Sequence, residues 1–216
     1  MIRHRTPFVL FALAGIWLLA AIAGCGGGGL SLTGGSVPIG TSKLRGVVVR
    51  ADDINQPVPG AALTLSVGDK QSTDVSDQAG SFDFGSIVGG QYSCAIEPPS
   101  GSGLRDAWVW YFSLPDDTPA QMVAALWPAG FDPNTVKRVS ITPDQYTLRV
   151  GETIRFVPTA YDSDDQPLSI RPSLLLEGDL GTLAVGGQFT AAKVGQGEII
   201  AWLNGRFAVA QVKVIP

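Results

Sequence analysis

The sequence predicts an all-β chain: two consecutive small β-sandwich domains behind a secretory leader and a flexible tether. Three observations predict it. With 27 Gly and 15 Pro among 216 residues, turns recur too often for long helical bundles or coiled coils. Apolar residues come in short runs of strand length, several alternating with polar ones at a period of two. Asp, Asn, Gly and Pro, the residues that turn a chain, cluster between the runs.

The chain opens with Arg3, His4 and Arg5, then an uncharged apolar stretch over residues 8–23, and no charge returns before Lys43. A basic start, an apolar centre and small residues at the end describe a secretory signal peptide over residues 1–24. The run from Pro7 to Gly24 is shorter than the roughly 20 residues a spanning helix needs. Ile22-Ala23-Gly24-Cys25 resembles the bacterial lipobox, with Ile where most such boxes open with Leu. The resemblance implies that Cys25 takes a diacylglyceryl group, that the leader is cut before it, and that the new amine is acylated. Residues 25–42 are rich in Gly, Ser and Thr and read as the tether. The expected location is therefore a cell membrane or outer membrane, lipid-anchored and facing periplasm or exterior.

Cleavage sharpens the composition. Taking Arg3 and Arg5 from the 15 basic residues leaves 13 against 19 acidic ones, a net of −6. An acidic surface without a Lys/Arg cluster repels phosphate backbones, so nucleic acid is not an expected partner. The single histidine, His4, leaves with the leader. Ser-His-Asp and Cys-His catalysis, and His-based zinc sites, are then excluded. With Cys25 lipidated, Cys94 has no intrachain partner, so the chain is not a disulfide scaffold.

Residues 43–98 carry the first sandwich. Residues 44–51 make a strand and residues 52–60 a loop. In the next strand Ala61, Leu63, Leu65 and Val67 share one face. Phe82 and Phe84 point one way between Ser81 and Asp83, and Tyr92, Cys94 and Ile96 alternate after Gly89-Gly90. The segment resembles the carboxypeptidase regulatory-like (transthyretin-like) domain family. Its motifs are Gly46-Val47-Val48, Pro59-Gly60-Ala61, Ser76-Asp77-Gln78-Ala79-Gly80-Ser81-Phe82 and Gly90-Gln91-Tyr92. The resemblance implies a non-catalytic β-sandwich module, here without the peptidase such modules often accompany.

Residues 137–216 carry the second. Ile154, Phe156 and Pro158 point inward along one strand, and Asn204-Gly205 between two apolar runs predicts a type I′ hairpin. Val139-Ser140-Ile141-Thr142-Pro143, Leu148-Arg149-Val150-Gly151-Glu152-Thr153, Gly187-Gln188-Phe189-Thr190-Ala191 and Val194-Gly195-Gln196-Gly197 resemble the bacterial Ig-like (group 2, intimin/invasin-type) domain. That family often carries a Trp in its mid-domain strand. Ser173-Leu174-Leu175-Leu176 has none, and Trp202 is the candidate to fill that volume. The resemblance implies a two-sheet sandwich of the kind found in surface proteins that adhere or space.

Residues 99–136 connect the two. Residues 107–113 are strongly β-prone with apolar residues on both faces. Either Thr118-Pro119 caps a short helix through Trp127, or residues 121–127 pair back as a strand that completes the first sandwich; the β-rich neighbours favour the strand.

The candidate ligand-contact residues are Trp108, Trp110 and Phe112, one face of that aromatic strand. A sugar-binder presents such a face to solvent; a structural strand buries it, and Tyr111 opposite argues that both faces are covered. Burial is the expectation. Asp162, Asp164 and Asp165 supply calcium-type oxygens, but Pro167 stands where an EF-hand needs Gly and Ser173 where it needs its closing Glu. A solvated loop is expected there, as at Asp52-Asp53 and Asp116-Asp117. Cys94 reads as a buried, inert thiol. No catalytic, cofactor-binding or metal-ligating residue is nominated. The expected function is a non-catalytic envelope lipoprotein whose modules adhere, bind or space, meeting envelope polysaccharide or a surface protein. The alternative is a carbohydrate-binding or accessory subunit of an envelope enzyme.

Overall fold

The computed structural model describes residues 36–105 and 108–216, with Trp108 and Val109 described by backbone alone. Cys25, the leader and most of the tether lie outside the described residues. Apart from one 3-10 turn at Pro133–Thr135, the regular structure described is β.

The first half contributes β1 (Ser42–Arg50), β2 (Ala62–Val67), β3 (Lys70–Val75), β4 (Ser81–Ile87), β5 (Gly90–Glu97), β6 (Trp108–Leu114) and β7 (Pro119–Leu126). A four-stranded sheet in the order β3-β2-β5-β6 faces β4-β1-β7. The face read from alternation is the face buried: Ala61, Leu63, Leu65, Tyr92, Cys94 and Ile96 all lie in the core. Residues 119–126 are a strand, not a helix, and β7 pairs in parallel with β1.

The second half contributes β8 (Arg138–Thr142), β9 (Gln145–Arg149), β10 (Thr153–Arg155), β11 (Val157–Tyr161), β12 (Ser173–Glu177), β13 (Gly181–Leu183), β14 (Gln188–Ala191), β15 (Gly195–Leu203) and β16 (Arg206–Ile215). Strands β12-β15-β16-β9 form one layer; the small sheets β11-β8 and β10-β14-β13 form the other. The β15–β16 hairpin turns at Asn204 (φ 47°) and Gly205 (φ 73°), the positive pair a type I′ turn demands.

Both halves are sandwiches, but they are not separate. Strand β7 pairs antiparallel with β12, Val123 opposite Leu174 and Met122 opposite Leu175. One seven-stranded sheet, β4-β1-β7-β12-β15-β16-β9, therefore runs through the whole described unit. The sheet continues across residue 137, where the sequence reading places the start of its second domain. The physical reason lies in composition. Residues 122–126 and 174–176 are apolar without alternation and buried throughout, the pattern of strands covered on both faces.

The family-like motifs turn out to be turn chemistry. Ser76 Oγ donates to Val58 O (2.7 Å) and accepts from Ala61 N (2.9 Å), tying two loops together inside the protein. Asp77 Oδ1 accepts from Ala79 N and Ser81 N, both at 2.8 Å, and Gly80 follows at φ 75°. Only glycine fits there, since a Cβ would meet Val48 O at 2.4 Å. In the second half Glu152 Oε2 accepts from Arg149 N (2.7 Å), closing the turn at Gly151.

Candidate binding site at the seam

The aromatic strand β6 faces inward. Trp110 is 2% exposed and Phe112 8%, and Tyr92 stacks on Phe112 at 5.9 Å between ring centroids. Trp110 stacks on Trp202 of the second half at 5.6 Å with the rings 14° apart. The burial expected of this face is observed, and the reading of Trp202 is corrected. Trp110 and Phe112 present no ring face to a ligand, because both contribute to the core and Trp110 also bridges the halves. Trp202 does not fill the second half's own core: its neighbours Ala201 and Leu203 point there, so alternation turns Trp202 the other way. Tyr111 is 76% exposed, so the second face of β6 is open at that position. The side chain of Trp108 lies outside the described residues.

The acidic loops are engaged within the protein. Asp162 Oδ1 accepts from Asp164 N and Gln166 N, both at 2.9 Å, and Asp165 pairs with Arg138 at 2.9 Å. Asp116 Oδ1 accepts from Gly89 N at 2.9 Å. Among the described residues no cluster of three metal-type ligands occurs. Cys94 is buried, and burial pushes its thiol up to about 12. The thiolate, the nucleophilic form, is then scarce at neutral pH.

Sequence reasoning did not find the concave site that the fold builds on the seam. Strands β10 and β11 are nearly continuous, yet residues 153–155 pair with β14 and residues 157–161 with β8. Phe156, fully buried, holds the crossing, its N–H donating to Gly187 O at 2.8 Å. Where the strand changes sheets the covering layer parts, and a cavity of about 100 Å³ opens over the β7–β12 pair. Its apolar lining includes Val123 and Ala125 of β7, Leu174 of β12, Val157 and Pro172.

Both halves build its rim. The loop after β1 supplies Ile54. Arg50 holds that loop through a two-pronged ion pair with Asp52 (2.8 and 3.0 Å), which depresses the Asp52 carboxyl, and Asp53 Oδ1 accepts from Asn55 N. Arg171 N donates to Ala51 O at 2.9 Å, pinning the same loop to the second half. Two guanidiniums complete the rim. Arg155 Nε donates to Gly186 O (3.1 Å) and Arg171 Nη1 reaches Pro158 O (3.4 Å). Gly186, at φ 81°, leaves room for both walls: a Cβ there would stand 2.9 Å from Arg155 and 3.2 Å from Ile54.

Farther along the seam Gln121 of β7 closes the edge of β13. Its Nε2 donates to Gly181 O (2.7 Å) and its Oε1 accepts from Leu183 N (3.2 Å), the two groups a neighbouring strand would have paired. An open groove of about 740 Å³ lies beside it, with Asp74, Asp77 and Asp83 on its walls. Asp77 and Asp83 accept backbone N–H groups two residues on, and Asp74 accepts from Asp83 N of β4 at 2.7 Å.

No protein-family model and no curated protein matches the chain. Solved structures resemble it at low identity. Klebsiella pneumoniae 5-hydroxyisourate hydrolase is 15% identical with a TM-score of 0.32, over 43% of this chain and 92% of that one. The Bacillus anthracis TIE protein is 11% identical with a TM-score of 0.36, over 81% of this chain and 33% of that one. Invasin, a bacterial integrin-binding protein, is 10% identical with a TM-score of 0.24, over 84% of this chain and 37% of that one. These likenesses do not bear on what the chain does.

Proposed function

We propose that the chain is a lipid-anchored envelope protein that works without catalysis, as a stiff two-sandwich module that binds or spaces at the surface. The observation supporting it is the seven-stranded sheet shared by both halves. Modules joined by a bare linker pivot; modules joined through strand pairing and a Trp–Trp stack hold one orientation. Such a body on a Gly-rich tether suits presentation at a distance from the bilayer. The lipid on Cys25 and the envelope location are part of this proposal and rest on the lipobox-like sequence. The carbohydrate-binding alternative loses the support of Trp110 and Phe112, whose rings are committed to packing.

The test is metabolic labelling of the full chain with a palmitate analogue, followed by fractionation. Wild type should carry label and sediment with membranes, and Cys25→Ser should lose the label and keep its leader. A labelled, normally processed Cys25→Ser variant would refute the anchor.

A further inference from the structure

The cavity over the β7–β12 seam combines three features that together suit an anionic ligand with an apolar end. Its floor is apolar, its rim carries Arg155 and Arg171, and no acidic residue lines it. Neither guanidinium forms an ion pair within 4 Å among the described residues, in a chain with net charge −4. Each is oriented by a backbone carbonyl through one nitrogen, which leaves further N–H donors for a second partner. A planar guanidinium matches a carboxylate in shape and charge better than any other side chain does. The apolar floor sets the rest of the ligand. An apolar cavity of roughly 150 Å³ admits benzene, so the space of about 100 Å³ here takes a smaller aliphatic group.

We propose that this cavity binds a short branched aliphatic carboxylate, its hydrocarbon end against Val123, Ala125 and Leu174 and its carboxylate between Arg155 and Arg171. The same chemistry is offered by a free short-chain acid and by the C-terminal residue of a peptide ending in Val. Because both halves line the cavity, bound ligand also adds to the tie between them. The site is independent of lipidation, so it stands or falls separately from the anchor.

The probe is isobutyrate, titrated into the chain without its leader and followed by calorimetry at low salt, with isobutyramide and isobutylamine as controls. Six non-hydrogen atoms binding at roughly half the efficiency ceiling of very small ligands give a Kd of about 1 mM. Arg155→Gln and Arg171→Gln should each weaken binding at least about tenfold, as expected for loss of a charge-assisted contact. Both arginines are exposed, and an unchanged melting temperature in each variant verifies the fold. A peptide ending in Val that binds more tightly than isobutyrate identifies a chain terminus as the source; a peptide that fails where isobutyrate binds identifies a free acid. Three results would overturn the site: no saturable binding of either probe, equal binding of isobutyramide, or binding indifferent to both substitutions.

Discussion

Strands β15 and β16 and strands β7 and β12 lie in the same sheet, yet their sequences read differently. In β16 buried Ala210, Val212 and Val214 alternate with exposed Gln211 and Lys213, because only one face meets a core. Leu174, Leu175 and Leu176 of β12 are all buried, because the first half's other sheet covers one face and the second half's small sheets cover the opposite one. Loss of alternation thus marks the place where two sandwiches share a layer. A buried strand with two covers belongs to neither half alone.

The comparison predicts the largest effects at the seam. Trp110→Ala should cost about 3–5 kcal/mol, as for other buried Trp truncations, and should disturb both halves because its ring stacks on Trp202. Leu175→Ala should cost about 2–5 kcal/mol, and Val212→Ala, equally buried in the alternating strand, less because it removes fewer atoms. Chemical denaturation read by fluorescence and by circular dichroism checks both; a Leu175→Ala variant no less stable than Val212→Ala would break the contrast. Next in size, Gln121→Ala should cost about 1–3 kcal/mol, since Gly181 O and Leu183 N lose their partner at a partly buried edge.

Most of the outer fold was legible in the sequence. Alternation at Leu63 and Leu65, the Asn204-Gly205 turn and the Asp77–Gly80 turn each follow from local chemistry acting over a few residues. The seam was not legible, because pairing of Val123 with Leu174 joins residues far apart along the chain, and no local preference selects one apolar strand edge over another. The uniform burial of residues 122–126 and 174–176 was visible as two apolar runs without alternation, the signal that could have found it. The cavity was still less legible. It arises where one strand changes sheets at Phe156, and Arg155 and Arg171 carry no motif that marks them.

The smallest predicted effect sharpens the comparison at the end of β12. Glu177 stands directly opposite Glu198 on β15, and half-burial, then the Glu198 charge, holds the Glu177 carboxyl above its usual range. A carboxyl raised in the folded state binds its proton more tightly there than when unfolded. Its ionisation therefore subtracts stability as pH rises through that range, and the penalty is absent at lower pH. Glu177→Gln should stabilise the protein by about 0.2–1 kcal/mol at neutral pH, and the gain should disappear below the ordinary Glu range. A gain that persists unchanged in acid would contradict this account.

Scanning calorimetry of residues 34–216 reads directly whether the shared sheet makes the two halves one cooperative unit. A single transition is expected, with calorimetric and van't Hoff enthalpies in agreement. Two resolved transitions, one for each half, would show that the seam joins domains that still melt independently, and would contradict it.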